Sequence, residues 1–155
     1  MDMKLGDRVL ALDLGRRRTG IALSDPSGTL ATPLETVALT SRRLLEHIRH
    51  LIATRRVATV VIGRPVLASG ELGEIGRWAE QIGERLRNET GVNVVLWDEG
   101  LTSWEAEGLL ARRAGVRKAG RSQRARASRR AAVDRVAAAL ILQDYLDART
   151  RCEES

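Results

Sequence analysis

Three acidic residues lie where a carboxylate needs a partner. Asp13 lies near the end of an apolar run, Glu99 ends another, and Asp134 lies between Val133 and Val136 in an alanine-rich stretch. A buried carboxylate without a partner is costly, and three carboxylates from separate elements could share a divalent cation. Oxygen ligands suit Mg²⁺ or Mn²⁺, which can activate a water molecule and stabilise the leaving oxygen in phosphodiester hydrolysis. Asp13, Glu99 and Asp134 are therefore candidate metal ligands and catalytic residues.

Each of these acids also has a plainer interpretation. Asp13 could begin a turn, Glu99 could be an exposed strand end, and Asp134 could form an ion pair with Arg130 or Arg135. The set of three is more informative than any one member, but spacing along the chain does not show that the side chains converge. Both interpretations stay open at this point.

Positive charge is concentrated in one part of the chain. The net charge is +6 and the sequence pI is about 10.8, yet residues 112–135 hold ten basic residues and one acid, a net +9 that leaves the rest at −3. A local positive field is typical of contact with a phosphate backbone, although a solvated loop could have the same composition. The predicted nucleic-acid contacts in this window are Arg117, Lys118, Arg121, Arg124, Arg126, Arg129 and Arg130.

A second basic group follows Asp13 directly. Arg16, Arg17 and Arg18 occupy the predicted turn after the first strand, where they could hold a substrate phosphate close to the acids. An exposed turn with solvated charges is an equally simple interpretation. We include all three arginines among the predicted nucleic-acid contacts.

The elements that must position these residues are indicated by the apolar pattern. Short apolar runs bounded by turn residues predict five strands, and an apolar repeat of three to four residues predicts helices between and after the later strands. The predicted strands are Arg8–Leu14, Thr19–Ser24, Thr32–Leu39, Val57–Gly63 and Val92–Glu99. The predicted helices are one around Leu44–Ile52, one around Leu72–Leu86 that ends near Gly91, one that starts at the capping box Thr102-x-x-Glu105, and a final one from about Arg129 to Ala148.

This order of elements, β-β-β-α-β-α-β-α-α, predicts the fold class. A meander of three strands followed by alternating helices and strands gives an α/β fold with a five-stranded mixed sheet and helices on both faces. The length of 155 residues suits one domain, over residues 1–155. We expect a basic loop at about 115–128 and a short tail at 149–155.

Composition narrows the class of protein. No apolar run approaches the roughly 20 residues that span a bilayer, and the charged N-terminus does not resemble a secretory signal. Cys152 is the single cysteine, which excludes an internal disulfide and a thiolate zinc site. We therefore expect a cytoplasmic protein without membrane contact.

Five segments carry a family resemblance, in order, from about Arg8 to Leu146. Together they resemble the YqgF/RuvX family, and the ordered set is more specific than any one motif. The segments are Asp13-Leu14-Gly15-Arg16-Arg17-Arg18-Thr19-Gly20-Ile21-Ala22, Ala31-Thr32-Pro33-Leu34-Glu35-Thr36-Val37, Val61-Ile62-Gly63-Arg64-Pro65 with Gly70, Trp97-Asp98-Glu99-Gly100-Leu101-Thr102-Ser103, and Val133-Asp134-Arg135-Val136-Ala137-Ala138.

The resemblance implies an RNase H-like fold and a metal-dependent endonuclease whose acidic site maps onto Asp13, Glu99 and Asp134. The family is associated with maturation of the 5′ end of pre-16S ribosomal RNA and with resolution of Holliday junctions. An rRNA precursor is therefore the favoured substrate, branched DNA is the alternative, and the ribosome is a candidate partner. We expect a monomer or a weak homodimer.

The chain departs from the family pattern at several positions. Gly100 and Ala132 stand where the family commonly has Arg and Lys, and Arg64 stands where an apolar residue is usual. Resolvases of the RuvC type carry a second acid one turn after the helix Asp, where this chain has Ala137 and Ala138. The alternative from another class is a nucleic-acid-binding module without catalysis. Actin-like kinases and ATPases, which also open with Asp-x-Gly, would need a second domain that 155 residues do not supply.

Overall fold

The structure is a computed structural model of the 155-residue chain, and it describes residues 7–38, 41–65, 73–99 and 123–153. Residues 65, 99 and 123–131 are described by their backbone alone. The predicted helix at Thr102 and the part of the basic loop before residue 123 lie outside the described residues. No described helix combines the length and apolar character needed to cross a bilayer.

Five strands form one mixed sheet in the order β3-β2-β1-β4-β5. The strands β1, β2 and β3 form the predicted antiparallel meander, and β4 and β5 continue the sheet parallel to β1. The carboxyl ends of β1, β4 and β5 therefore meet at one edge, which we call the carboxyl edge. The strand bounds are Arg8–Leu14 for β1, Thr19–Ser24 for β2, Ala31–Val37 for β3, Val57–Pro65 for β4 and Asn93–Glu99 for β5.

Helices cover both faces of the sheet, as predicted. One face packs on α1 and α2 through a large aliphatic core that includes Leu10, Leu12 and Ile62. The other face packs on α3 through a smaller core that includes Val61 and Ile141. The helix bounds are Ser41–Thr54 for α1, Glu74–Thr90 for α2 and Gln123–Glu153 for α3.

The last helix is longer than predicted at both ends. It begins at Gln123 rather than near Arg129, so residues 123–128 of the predicted basic loop are helical. It ends at Glu153, so most of the predicted tail is helical too. The segment contains no glycine or proline, and Arg, Ala and Gln all favour helix, so nothing in it breaks the helix. The expected loop at 115–128 and tail at 149–155 were wrong in these parts.

The fourth strand is also longer than predicted, because Arg64 and Pro65 pair with Asp98 and Glu99 of β5 instead of opening a loop. Arg64 Nε donates to Asp98 Oδ1 at 2.8 Å, and Arg64 Nη1 donates to Glu80 Oε1 on α2 at 3.1 Å. The hydrogen bond to Asp98 is the largest cause of a raised Arg64 pKa. Position 64, where the chain departs from the family pattern, therefore holds α2 against the sheet.

Asp25 stabilises the turn between β2 and β3 at the edge opposite the carboxyl edge. Its Oδ1 accepts hydrogen bonds from the backbone N–H groups of Thr29 at 2.9 Å and Leu30 at 3.0 Å, and its Oδ2 accepts one from the Ser27 hydroxyl. These bonds, that of Ser27 foremost, hold the pKa of Asp25 well below its ordinary value of 3.8.

We expect Asp25→Ala to lower the midpoint of thermal unfolding by a few degrees at neutral pH, because the turn loses these acceptors. Since the folded pKa is depressed, the stabilisation is complete above the ordinary value of 3.8 and is lost as pH falls towards the lowered folded pKa. Calorimetry of parent and variant from about pH 7 to about pH 2 should show that the difference between their unfolding midpoints becomes smaller at the acid end. A difference in unfolding midpoint that does not change with pH would contradict the stabilising role of the ionised Asp25 carboxylate.

Candidate functional site

Asp13 lies on the sheet face that α3 covers. Along β1, Val9 and Ala11 belong to the core under α3, whereas Leu10 and Leu12 belong to the core under α1 and α2. Side chains alternate along a strand, so Asp13 follows Val9 and Ala11 onto the α3 face. It is partly buried, one residue before β1 ends at the carboxyl edge.

The helix α3 brings Asp134 to the same place. Gly20 of β2 is the cross-strand partner of Asp13, and a Cβ built on Gly20 would lie 1.9 Å from the backbone oxygen of Asp134. Directly paired residues of antiparallel strands have Cα atoms about 4.5–5.5 Å apart. The backbone of Asp134 therefore touches the strand immediately beside Asp13, and β1 and α3 place two of the three predicted acids together.

A guanidinium lies against the Asp134 carboxylate. Arg18 Nε donates to Asp134 Oδ2 at 2.9 Å, and the two side chains are 28% and 27% exposed. Burial raises the pKa of Asp134, and the charge and hydrogen bond of Arg18 partly oppose that rise. The sequence left open an ion pair of Asp134 with Arg130 or Arg135; the partner that the structure describes is Arg18, from the turn after β1.

That turn is tight and spreads its arginines apart. A Cβ on Gly15 would lie 2.5 Å from the Arg18 backbone oxygen, so only glycine fits the close return of the chain. Arg18 contacts the acid on the α3 face, Arg16 Nη2 lies 3.6 Å from Glu74 Oε2 of α2 on the other face, and Arg17 is exposed. The prediction that this turn lies beside the acids is consistent with the contact of Arg18.

Glu99 is the last residue of β5, opposite Pro65 at the end of β4. Because β4 separates β5 from β1, the ends of β1 and β5 lie about 10 Å apart across the sheet, at the same carboxyl edge. The side chain of Glu99 lies outside the described residues, so its convergence with Asp13 and Asp134 stays a prediction. Among side chains that the structure does describe, no group of three or more His, Cys, Asp or Glu residues forms a metal cluster.

The predicted basic contacts fall in two groups. Arg117, Lys118 and Arg121 lie outside the described residues. The others belong to the first two turns of α3, where the backbone alone is described; they are Arg124, Arg126, Arg129 and Arg130. Since Asp134 already lies level with Gly20, the 11 residues of α3 before it extend about 16 Å past that level. The basic end of the helix thus projects from the edge where Asp13 and Glu99 lie.

Gly20 is the residue that the sequence interpretation missed. It belongs to the first of the five family-like segments and lies inside a strand whose other residues are all buried. A glycine within a strand pattern often marks a site where another backbone approaches closely. That signal was present in Thr19-Gly20-Ile21 and would have indicated the contact with the helix that carries Asp134.

The sequence is similar to one family of known proteins. A family model described as RuvX, Holliday junction resolvase, matches residues 7–148. A protein of Thermoanaerobacter pseudethanolicus is 36% identical over 141 residues, which are 90% of this chain and 96% of that protein. A protein of Geobacillus kaustophilus is 39% identical over 145 residues, which are 92% of this chain and 99% of that protein. Both relatives are provisionally named pre-16S rRNA nucleases.

The fold is shared with a solved structure. The structure described as T. thermophilus RuvC in complex with Holliday junction substrate superposes with a TM-score of 0.55 at 18% sequence identity, covering 93% of this chain and 96% of that one. At that identity the likeness concerns the fold. The expected RNase H-like arrangement, a five-stranded mixed sheet with helices on both faces, is confirmed.

Proposed function

This chain belongs to the RuvX family, and from that premise we propose that it is a metal-dependent endonuclease that processes the 5′ end of pre-16S ribosomal RNA. The observation that carries the proposal is the contact of the Asp134 backbone with Gly20, the strand partner of Asp13. It brings the backbones of two acidic residues from distant parts of the chain close together at the carboxyl edge, which supports a shared metal site. The substrate would place the protein in the cytoplasm, with ribosome precursors.

The donor set fits a hard divalent cation. Asp13 and Asp134 offer carboxylate oxygens from a strand and a helix in contact, and Glu99 ends β5 at the same edge. Burial penalises the charged form of Asp134 even with Arg18 beside it, so further positive charge would be favourable there. These three acids would hold Mg²⁺ or Mn²⁺. Such an ion, when bound, polarises a phosphoryl oxygen and makes water a better nucleophile.

Residues of the chain itself would bind and orient the substrate strand. Arg18 uses Nε on Asp134, and a guanidinium has five N–H donors, so the others can reach a phosphate oxygen while the ion pair is kept. The exposed Arg17 and the basic first turns of α3 would attract the phosphate backbone without regard to sequence. The strand would then cross the carboxyl edge with one phosphate facing Asp13 and Asp134.

RNA is the favoured substrate because of the names of the relatives, and the match to this chain covers nearly the whole length of each relative. Branched DNA is the second candidate, because the matching family model is described as a Holliday junction resolvase. The positions one turn after Asp134, where RuvC-type resolvases carry a second acid, are Ala137 and Ala138, which are 1% and 0% exposed in the core under α3. This favours the RNA substrate.

The proposal predicts cleavage of a labelled RNA that carries the 16S 5′ leader, in Mg²⁺ or Mn²⁺ and not in EDTA. A four-way DNA junction is the matched substrate, and both are run with the same protein and the same metals, with products resolved on sequencing gels. Paired symmetric nicks in the junction without RNA cleavage would favour the resolvase. Binding of the RNA with no cleavage in either metal would support a binding module without catalysis.

A further inference from the structure

A pocket of about 610 Å³ opens on the other side of the turn that follows β1. Arg16 of that turn and Ser41 at the start of α1 form part of its wall, and the first two turns of α2 form the rest, with Arg77, Trp78 and Gln81 among its lining residues. Ligand sites of small molecules commonly have volumes of about 300–1,000 Å³, so the pocket is large enough for a nucleotide.

The pocket lies at the carboxyl edge, as the acids do. The strand β3 runs parallel to β1, so α1, which follows it, starts at this edge, and α2 starts there after β4. The turn itself joins the two places: Arg18 contacts Asp134 on the α3 face, while Arg16 lines the pocket on the face of α1 and α2. A strand laid across this turn would contact both.

The lining suits an unpaired nucleotide. Trp78 packs partly against the core, and its remaining surface borders the pocket, where a base could stack on the indole. Arg77 is exposed and forms no ion pair with any described carboxylate. The ion pair that the described residues show for Arg16 is a long contact of 3.6 Å to the exposed Glu74. Both guanidiniums are thus available to phosphates. Aromatic stacking surfaces next to arginines are the usual means by which proteins bind single-stranded nucleic acid.

We propose that this pocket binds an unpaired nucleotide of the substrate strand, a few nucleotides away from the phosphate that faces Asp13 and Asp134. The inference rests on the proposed nuclease function and specifies its substrate class: a strand that is single-stranded beside the cleavage site. A base held in a duplex is stacked and paired, and would have to leave the helix to enter the pocket.

The test measures binding without catalysis, by fluorescence anisotropy in EDTA, with a labelled oligouridine of about 12 nucleotides. Trp78→Leu keeps an apolar side chain and removes the stacking surface, and should weaken binding about tenfold. Trp78→Phe should restore most of the affinity. Arg77→Ala should weaken binding several-fold and reduce the salt slope by about one.

The control is Arg85→Ala, which removes the same charge from the same helix but outside the pocket, where Arg85 pairs with Glu89. It should bind like the parent. The proposal is overturned if Arg77→Ala and Trp78→Leu also bind the oligouridine like the parent. It is likewise overturned if these variants lose as much affinity for an RNA duplex of the same length as for the single strand. Circular dichroism shows whether Trp78→Leu folds. If it does not, the comparison of oligouridine affinity between Arg77→Ala and Arg85→Ala decides the proposal.

Failure of this inference is separable from failure of the nuclease proposal. Unchanged affinities in a protein that still cuts RNA in Mg²⁺ would remove the pocket from the model and leave the enzyme in place. If the parent protein binds RNA but never cuts it, and Arg77→Ala and Trp78→Leu lose affinity, the pocket proposal would be supported and the nuclease proposal refuted.

Discussion

Asp13→Asn should lower the rate of metal-dependent cleavage about 1,000-fold, because several kcal/mol of metal-supported charge stabilisation depend on its carboxylate and each factor of ten in rate corresponds to about 1.4 kcal/mol. The fold should be kept, since Asn has the same shape and position 13 is partly exposed at a strand end. Single-turnover cleavage of the leader RNA in Mg²⁺ measures the first effect, and thermal unfolding measures the second.

The matched control is Asp25→Asn, which removes a carboxylate from the turn at the opposite edge of the sheet. It should cut RNA at the rate of the parent. An Asp13→Asn protein that cuts as fast as the parent would mean that cleavage does not depend on these acids, and the metal site would have to be sought elsewhere.

Gly20→Ala should have the second large effect, although alanine adds a single methyl group. That methyl would lie 1.9 Å from the Asp134 backbone oxygen and 2.4 Å from its carbonyl carbon, and backbone atoms cannot rotate aside. The helix must therefore move away from β2 by about 1 Å or more, and a misplacement of about 1 Å can cost about 100-fold in rate. Overpacking should also destabilise the fold by about 1–3 kcal/mol.

Cleavage rates and urea unfolding of Gly20→Ala should be compared with those of Gly83→Ala. Gly83 is also buried, but the three atoms nearest to its added methyl are side-chain carbons: Val94 Cγ1 at 3.0 Å, Ile62 Cδ1 at 3.4 Å and Leu96 Cδ2 at 3.7 Å. Those groups can shift, and alanine favours helix, so Gly83→Ala should stay close to the parent. Parent-like cleavage by Gly20→Ala would show that this contact does not set the position of Asp134.

Several elements could be predicted from local pattern alone. The bounds of β1 and β2 agree with the prediction because each is a short apolar run closed by turn residues, Gly15 after one and Asp25-Pro26 after the other. The end of α2 at Gly91 agrees for a similar reason. The start of α3 differs from the prediction because a run of arginines is typical of a solvated loop, whereas arginine and alanine both favour helix.

The site was predictable in its residue types and less so in its geometry. Asp13 and Asp134 were found because each is an acid in apolar surroundings, and the structure brings their backbones together. Their proximity depends on the contact between Gly20 of β2 and Asp134 of α3, which are far apart in the sequence, and spacing along the chain carries no such information. The same limit explains why Arg18 was not identified as the partner of Asp134, and why the position of the Glu99 carboxylate stays a prediction.

One helix carries both the acid at the carboxyl edge and the arginines that extend past it. Because α3 continues without a glycine or proline from Gln123 to Glu153, we expect it to respond to force as one rigid rod that bears on Gly20 of β2. Force applied by a phosphate backbone to the basic end would then reach Asp134, next to that contact, as a much smaller displacement. Substrate binding at the basic end and the position of Asp134 would thereby be mechanically coupled through one helix.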